Sequence, residues 1–213
     1  VGDDRIRIPR IEADPERKRA LRERVIAACP AARDASRWIL MNPNAGDLLP
    51  ISAWPLERYI ELGRRLLAED PKAVLVVMGT DEATDDAARI VAELGADRAV
   101  DFAGRTAFED LLPLFELGDL LVTNDSGPAH FAALTPISIL VFFGPESPRL
   151  YRPLSDRCRA LYAEYQCSPC LNAYNHRTTS CTNNRCLQCI TVDDVHAAAR
   201  ELLAGGEGGD VGQ

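Results

Sequence analysis

The hydrophobic residues of this chain fall into short, almost continuous runs, separated by segments with apolar residues at helical spacing. The runs cover Trp38–Met41, Ala73–Met78, Ala99–Phe102, Leu120–Thr123 and Ile137–Phe143. Strands that are apolar throughout and alternate with helices are typical of a parallel sheet covered on both faces. The pattern therefore predicts an α/β fold, a doubly wound open parallel sheet of the Rossmann-like type, over roughly residues 37–165.

The helical spacing places further elements before, between and after the strands. Helices are predicted over Pro15–Ala28, Leu56–Ala68, Asp81–Leu94, Ala107–Leu117 and Asp193–Leu203, with one more beginning at Gly127. Thr191 and Asp194 are placed to cap the last of them. We expect three parts: a linker and helix over 1–36, a domain over 37–204, and a disordered glycine-rich tail over 205–213. The chain opens on Val1 without an initiator methionine, which is typical of a piece of a longer protein.

Length and charge narrow the classes of protein to which the chain can belong. With 213 residues it is long enough for one good-sized domain with attachments. The net charge is −8, from 24 basic and 32 acidic residues, and no basic run appears, so the sequence predicts no nucleic-acid partner. No apolar run approaches the roughly 18 residues that a membrane-spanning helix needs.

The fourth apolar run continues directly into a helix start, in the stretch Leu120-Leu-Val-Thr-Asn-Asp-Ser-Gly-Pro-Ala-His130. Asp125 or Ser126 is placed to cap that helix, and Gly127 leaves room for a ligand or another backbone to approach closely. A helix that begins at the carboxyl end of a buried strand directs N–H groups and a partial positive charge at one point, where phosphate is the usual ligand. The alternative is an ordinary capped helix in which His130 is a partly buried packing residue.

Five loops follow the carboxyl ends of the predicted strands, and in a doubly wound sheet these ends meet at one edge. The loops are 42–46, 79–82, 104–106, 124–130 and 144–147. Ligands bind at this edge, so the loops predict a pocket there. No Gly-x-Gly-x-x-Gly follows the first strand, and the phosphate-loop and Gly-x-Ser-x-Gly motifs are absent. This disfavours a dinucleotide dehydrogenase, a phosphate-loop ATPase and a hydrolase with that nucleophile elbow.

Several short motifs, in their order along the chain, resemble glycosyltransferase family 9, whose best-known members are the ADP-heptose:lipopolysaccharide heptosyltransferases. The motifs are Asn42-Pro-Asn-Ala-Gly46, Trp54-Pro55, Gly79 with Glu82, Gly104-Arg-Thr, Asn124-Asp-Ser-Gly-Pro-Ala-His130 and Phe143-Gly-Pro-Glu146. The resemblance implies the C-terminal, donor-binding domain of a two-domain, B-type glycosyltransferase. In that family the N-terminal domain binds the acceptor, and an acidic residue there is thought to act as the base. This sequence has no counterpart of that domain, so no catalytic residue is assigned and the chain alone is expected to be inactive.

Ten residues are expected to bind the donor: Asn44, Ala45, Glu82, Arg105, Thr106, Asp125, Ser126, Gly127, Pro128 and His130. Negative charge develops on the leaving diphosphate, so the backbone amides of residues 126–130 are expected to face it. Asp125 would accept hydrogen bonds from sugar hydroxyls or backbone, and His130 would donate to a phosphate oxygen. The resemblance implies that Glu82 contacts the ribose and that Arg105 and Thr106 lie beside the base. An acid favoured by the helix dipole and a solvated loop arginine are the alternatives for Glu82 and Arg105.

One position departs from the family pattern. Many members carry Lys or Arg two residues before the Trp-Pro pair, where it would neutralise phosphate, and this chain has Ser52 there. Loss of a charge-assisted hydrogen bond would weaken diphosphate binding by about 1.5–3 kcal/mol. Arg149 and Arg152 are candidate substitutes. Trp54 itself is expected in the core.

The seven cysteines are unevenly distributed, and five of them fall between Cys167 and Cys189. The pairs Cys167/Cys170 and Cys186/Cys189 have the Cys-x-x-Cys spacing of a four-thiolate structural zinc site, and Cys181 lies between them. Disulfides and free buried thiols are the competing interpretations. No cofactor is required for the expected reaction.

Together these features predict the donor-binding domain, for ADP-heptose or a related sugar, of an inverting glycosyltransferase. The whole enzyme would build lipopolysaccharide or a related cell-surface glycan in the cytoplasm, at the inner face of the membrane. Its partners would be the nucleoside diphosphate sugar, the N-terminal domain of the same protein, and a lipid-linked or oligosaccharide acceptor. The alternatives are a nucleotide-sugar epimerase-like domain, which would turn over the donor alone, and a non-catalytic interaction module.

Overall fold

The protein is built around six parallel strands in one open sheet. The computed structural model describes residues 8–46, 49–176 and 178–205. The strands are β1 (Trp38–Asn42), β2 (Val74–Val77), β3 (Ala99–Asp101), β4 (Leu120–Asn124), β5 (Ser138–Phe143) and β6 (Cys158–Tyr162), in the spatial order β3-β2-β1-β4-β5-β6. In the register, Leu40 of β1 lies opposite Val76 on one side and Leu121 on the other. This confirms the predicted doubly wound α/β fold, and the strand order reverses between β1 and β4.

Helices cover both faces of the sheet. They are α1 (Pro15–Ala28), α2 (Leu56–Glu69), α3 (Thr84–Leu94), α4 (Leu111–Leu117), α5 (Gly127–Ala132), α6 (Pro148–Tyr151), α7 (Arg185–Gln188) and α8 (Val192–Gly205). Thr191 and Asp194 cap α8 as predicted: the Thr191 hydroxyl donates to the Asp194 carboxylate at 2.6 Å and accepts from the Asp194 amide at 3.2 Å. None of the helices in the described parts of the chain is both long and apolar enough to span a lipid bilayer.

Alternate side chains of each strand enter two separate apolar clusters, one on each face of the sheet. Ile39 and Leu75 pack with α2, α3 and α8 on one face. Leu40 and Val76 pack with α1, α4 and α5 on the other. Because neighbouring side chains on a strand point to opposite faces, strands buried on both sides have to be apolar throughout. This is why the continuous runs predict the strands so directly.

Helix α1 belongs to the packed layer of the domain. Its side chains Leu21, Val25 and Ile26 are buried in the same cluster as β1, β2 and β4. The Asp14 carboxylate caps the helix by accepting the amides of Glu16 and Arg17. Burying three such side chains contributes on the order of 5 kcal/mol before entropy is counted. The helix expected to act as a linker is therefore docked on the sheet. The predicted glycine-rich tail lies outside the described residues, apart from Gly205.

Three local features differ from the sequence prediction. The helices expected from Asp81 and Ala107 each begin with a 3₁₀ turn, over Asp81–Ala83 and Phe108–Asp110. Strand β6 was not predicted, because its residues mix polar and apolar types and it lies at the sheet edge, where only Cys158 is fully buried. Ser126 stands at the N-cap of α5 but its side chain makes no cap bond, so capping by Ser126 was wrong.

Candidate functional site

A cavity of about 810 Å³ opens at the carboxyl edge of the sheet, beside the point where the strand order reverses. This is the position at which doubly wound sheets bind ligands. Of the ten residues predicted to bind the donor, eight line the cavity: Asn44, Ala45, Thr106, Asp125, Ser126, Gly127, Pro128 and His130. Loops that lie far apart in the sequence are therefore brought to one place, as the loop pattern predicts.

Glu82 and Arg105 do not line the cavity. Glu82 is exposed, and a hydrogen bond from the side chain of Thr80 lowers the pKa of its carboxyl. Arg105 has an exposed side chain, and its backbone carbonyl oxygen accepts from the guanidinium of Arg24. Both residues border the cavity in sequence, since Asp81 and Thr106 are part of its wall.

The cavity wall also contains residues that are not among the ten predicted to bind the donor. Several are apolar or aromatic, and others are polar groups at strand ends: Asn42, Met78, Thr80, Asp81, Phe108, Leu111, Phe131, Glu146 and Tyr151. The rings of Phe108 and Phe131 meet edge to face, with centroids 5.0 Å apart and an interplanar angle of 86°. Phe108 is 64% exposed, which is unusual for an aromatic side chain beside a cavity. It lies in the 3₁₀ turn Phe108–Asp110, within the segment predicted as a helix, and helical spacing does not distinguish a residue that lines a cavity from one that packs in the core.

A buried polar network fixes the ends of β1 and β4 under the cavity. The Asn124 side-chain amide donates to the Pro43 carbonyl at 2.7 Å, and its oxygen accepts the Trp54 amide at 2.8 Å. The Asn42 side-chain amide donates to the Thr123 hydroxyl at 3.3 Å. Trp54 is core, as expected: it packs against Tyr59 and Phe142, and its indole N–H donates to the Ile190 carbonyl. Removing such a partner would leave buried polar groups unsatisfied, so these bonds hold the loops in place.

In the turn between β4 and α5, fewer backbone N–H groups are available to bind a phosphate than the sequence predicts. Pro128 has no N–H, the Asp125 amide donates to the Phe142 carbonyl, and the Ala129 amide donates to the Ser126 carbonyl. Within the turn, the backbone N–H groups of Ser126 and Gly127 remain as candidates to bind phosphate. A Cβ added at Gly127 would meet nothing within 4 Å, so the backbone there faces open space.

The described cavity wall is acidic. It carries three carboxylates, from Asp81, Asp125 and Glu146, and one histidine, His130, but no lysine or arginine. Ser52 is buried in a 3₁₀ turn, where its backbone amide donates to the Leu49 carbonyl.

The two arginines named as substitutes for a basic residue at position 52 do not contribute to the wall. Arg149 and Arg152 are both exposed, and neither lines the cavity. The expectation that one of them compensates for Ser52 finds no support in this arrangement. The charge opposite a bound diphosphate would therefore depend on His130 and on backbone amides.

His130 lies on α5 with its side chain exposed to the cavity. Desolvation by the surrounding wall lowers the pKa of its imidazole below the usual value of 6.5. The ring is thus mostly neutral at pH 7 and can donate one hydrogen bond. A phosphate oxygen beside the ring would favour the charged form and raise the pKa.

The cysteine-rich segment lies beside the carboxyl end of β5. Cys186 is buried, and burial raises the pKa of its thiol, with a further rise from Cys170, Cys167 and Cys181 nearby. All seven cysteines have free thiols in the structure. Among the described residues, no group of three or more His, Cys, Asp or Glu side chains is arranged to hold a metal ion. The zinc tetrad that includes Cys189 therefore stays a prediction from spacing.

These observations define an α/β domain with a cavity across the carboxyl ends of a doubly wound parallel sheet, the place where such sheets bind ligands. The chain belongs to glycosyltransferase family 9 (heptosyltransferase), whose family model matches residues 10–179.

Individual relatives agree with this assignment. Lipopolysaccharide heptosyltransferase 2 of Salmonella typhimurium is 31% identical over 113 residues, which are 53% of this chain and 32% of that protein. The solved ADP-heptose lps heptosyltransferase II of Escherichia coli superimposes with a TM-score of 0.74 at 22% identity, covering 96% of this chain and 56% of that one. The family 9 glycosyltransferase of Veillonella parvula gives a TM-score of 0.73 at 22% identity, covering 92% and 54%. The chain thus spans little more than half the length of these solved relatives, and at this identity they show the shared fold.

Proposed function

We propose that this chain binds the donor, ADP-heptose, for an inverting glycosyltransferase of lipopolysaccharide or related cell-surface glycan synthesis. The observation that carries the proposal is the cavity, which gathers eight of the ten predicted donor-binding residues at the reversal point of the sheet. Family membership and the names of the relatives supply the sugar and the pathway. The full enzyme would act in the cytoplasm, at the inner face of the membrane.

Two groups of residues in the cavity wall suit two parts of the donor. The β4–α5 turn offers backbone N–H groups and the imidazole of His130, which suit the diphosphate. Phe108, Leu111 and Phe131 form an apolar wall that suits the flat face of a base. The Asp125 carboxylate would be repelled by phosphate, so we assign it to the hydroxyl groups of the sugar.

Transfer of the sugar needs a second binding surface. In the family the acceptor-binding domain supplies the base, so we propose that this chain binds the donor without transferring it. Its partners are the acceptor-binding domain of the same protein and a lipid-linked or oligosaccharide acceptor. The proposed reaction needs no cofactor.

The test is calorimetric titration of the protein with ADP, UDP, GDP and ADP-heptose. We expect saturable binding of ADP and tighter binding of ADP-heptose. Asp125→Ala should weaken ADP-heptose binding about 10–100-fold and leave ADP binding nearly unchanged, because only the sugar contact is lost. His130→Ala should weaken both. Asp85→Ala removes an exposed carboxylate of α3 outside the cavity and is the control that should change neither.

Other outcomes would redirect the proposal. Selective binding of UDP, with turnover of a UDP-sugar in the absence of acceptor, would support the epimerase-like alternative. A folded protein that binds none of the nucleotides would contradict the donor site and leave an interaction module.

A further inference from the structure

Helix α1 lies outside the cavity, but one of its side chains holds the loop that forms the cavity wall. The Arg24 guanidinium donates to the backbone carbonyl of Arg105, and its Nη1 lies 3.3 Å from Oδ2 of Asp110. The same guanidinium lies 5.7 Å from the centroid of the Phe102 ring. Arg24 therefore contacts the segment after β3 at its beginning, its middle and its end.

Asp110 is the second member of this contact. It is only 7% exposed, and its Oδ2 accepts the backbone N–H of Ala107 at 3.0 Å. Its Oδ1 accepts from Arg17, also on α1, at 3.0 Å. Burial disfavours the charged carboxylate, but the bonds from Ala107, Arg17 and Arg24 outweigh this and lower the pKa of Asp110. The carboxylate is thus charged at neutral pH and ties α1 to the loop.

The loop held in this way is part of the cavity. Gly104, Thr106, Ala107 and Phe108 all line it. At its start, the Gly104 amide donates to the Gly79 carbonyl at 3.0 Å, and Gly104 has a φ of +66°. A Cβ there would clash with a carboxylate oxygen of Asp81, and the positive φ also favours glycine. Beyond Gly104, Arg24 holds the Arg105 carbonyl and Asp110 holds the Ala107 amide.

We propose that Arg24 is a positioning residue of the donor site, which holds residues 104–108 in the shape that receives the nucleoside end of the donor. This rests on the proposed function, since it assigns that loop to the nucleoside. Arg24 does not line the cavity, so it acts through the loop and not on the ligand. The effect of losing it is therefore confined to ligands that carry a nucleoside.

The experiment compares Arg24→Ala with Arg19→Ala by titration with ADP and with pyrophosphate. Arg19 lies on the same helix and is 75% exposed, and its one ion pair with a described residue is with Glu16 at 4.0 Å. We expect Arg24→Ala to weaken ADP binding about tenfold, the usual effect of losing a bond to a charged group. Its pyrophosphate binding should match that of the wild type, and Arg19→Ala should match the wild type for both ligands.

Two further measurements separate positioning from general destabilisation. Hydrogen exchange at residues 104–108 should be faster in Arg24→Ala than in Arg19→Ala, with exchange in β1 and β4 unchanged. Arg24→Lys should restore part of the ADP affinity, because an ammonium can pair with Asp110 but cannot reproduce the forked contact. If Arg24→Ala does not fold, Arg24→Lys and Asp110→Asn take its place in the same titrations.

The outcomes distinguish this inference from the proposed function. Wild-type protein that fails to bind ADP contradicts the proposed function and this inference with it. Wild-type protein that binds ADP, with Arg24→Ala unchanged or weakened equally for ADP and pyrophosphate, overturns the inference alone.

Discussion

His130 is the one histidine in the described cavity wall, and histidine is the residue type whose charge ordinarily changes near neutral pH. Desolvation lowers the pKa of its imidazole, and a bound phosphate would raise it. The contribution of the charged ring to binding is then fully present below the free-state pKa and is lost as pH rises through the higher, bound-state pKa. As the pH falls from 8 to 5.5, we expect the ratio of wild-type ADP affinity to that of a variant without this group to rise about tenfold.

The matched variant for this pH prediction is His130→Gln, which can donate a hydrogen bond but does not titrate. The phosphate also takes up a proton in this range, so the informative quantity is the ratio of wild-type to variant affinity at each pH. Calorimetry at five pH values would measure it. A ratio that stays constant across the range would show that His130 does not contact the diphosphate.

At the scale of single residues, the sequence predicts location best for polar residues that directly follow a buried strand. Asp125 and Ser126 follow a buried strand directly, so their place at the sheet edge could be predicted. The actual supply of amides could not, because it depends on the bond from Asp125 to Phe142 in the neighbouring strand. The role of Arg24 could not be predicted, because its partner Arg105 lies 81 residues further along the chain.

At the scale of elements, the cysteine-rich segment makes the sharpest prediction. Cys167 and Cys189 are exposed, Cys170 and Cys181 half-buried, and Cys29, Cys158 and Cys186 fully buried. Burial raises the pKa of Cys158 to about 11 and also raises that of Cys29. On this geometry we expect a thiol reagent at pH 8 to modify two cysteines rapidly and two more slowly, and to reach the last three only after unfolding.

A zinc tetrad would give the opposite pattern. Cys167 and Cys189 would then be protected until a chelator is added, and elemental analysis would find one ion for each chain. The same reaction carried out with and without chelator, followed by mass spectrometry of the peptides, distinguishes the two arrangements. Rapid modification of Cys167 and Cys189 without chelator, together with no bound metal, would end the zinc hypothesis.

The elements that were predicted well are those whose burial is uniform. Strands β1, β2, β4 and β5 are buried along their full length because both faces are covered, so most of their residues are apolar and the sequence pattern shows this without reference to the fold. Strand β6 is stabilised by pairing with β5 at the edge, where Arg159 lies opposite Leu140, and a mixed pattern of this kind carries little signal. The docking of α1 depends on contacts with α4 that no local pattern reveals.

At the scale of the whole molecule, the two core clusters raise the question of whether the two faces of the sheet unfold together. Each cluster contains one tryptophan: Trp38 lies on the α1 side and Trp54 on the α2 and α8 side. The strands between them contribute side chains to both clusters, so loss of packing on one face weakens the strands that support the other face. We therefore expect a single cooperative transition, including α1.

Variants with one tryptophan each, Trp38→Phe and Trp54→Phe, report the two faces separately by fluorescence during urea unfolding. Leu21→Ala, introduced into both, removes a fully buried side chain of α1 and should cost about 2–5 kcal/mol. Arg19→Ala, on the exposed side of the same helix, should cost less than about 0.5 kcal/mol. In a single cooperative unit Leu21→Ala shifts both fluorescence midpoints equally, although it touches only one cluster. A shift seen by Trp38 alone would show instead that the faces unfold independently and that α1 docks on a domain already folded without it.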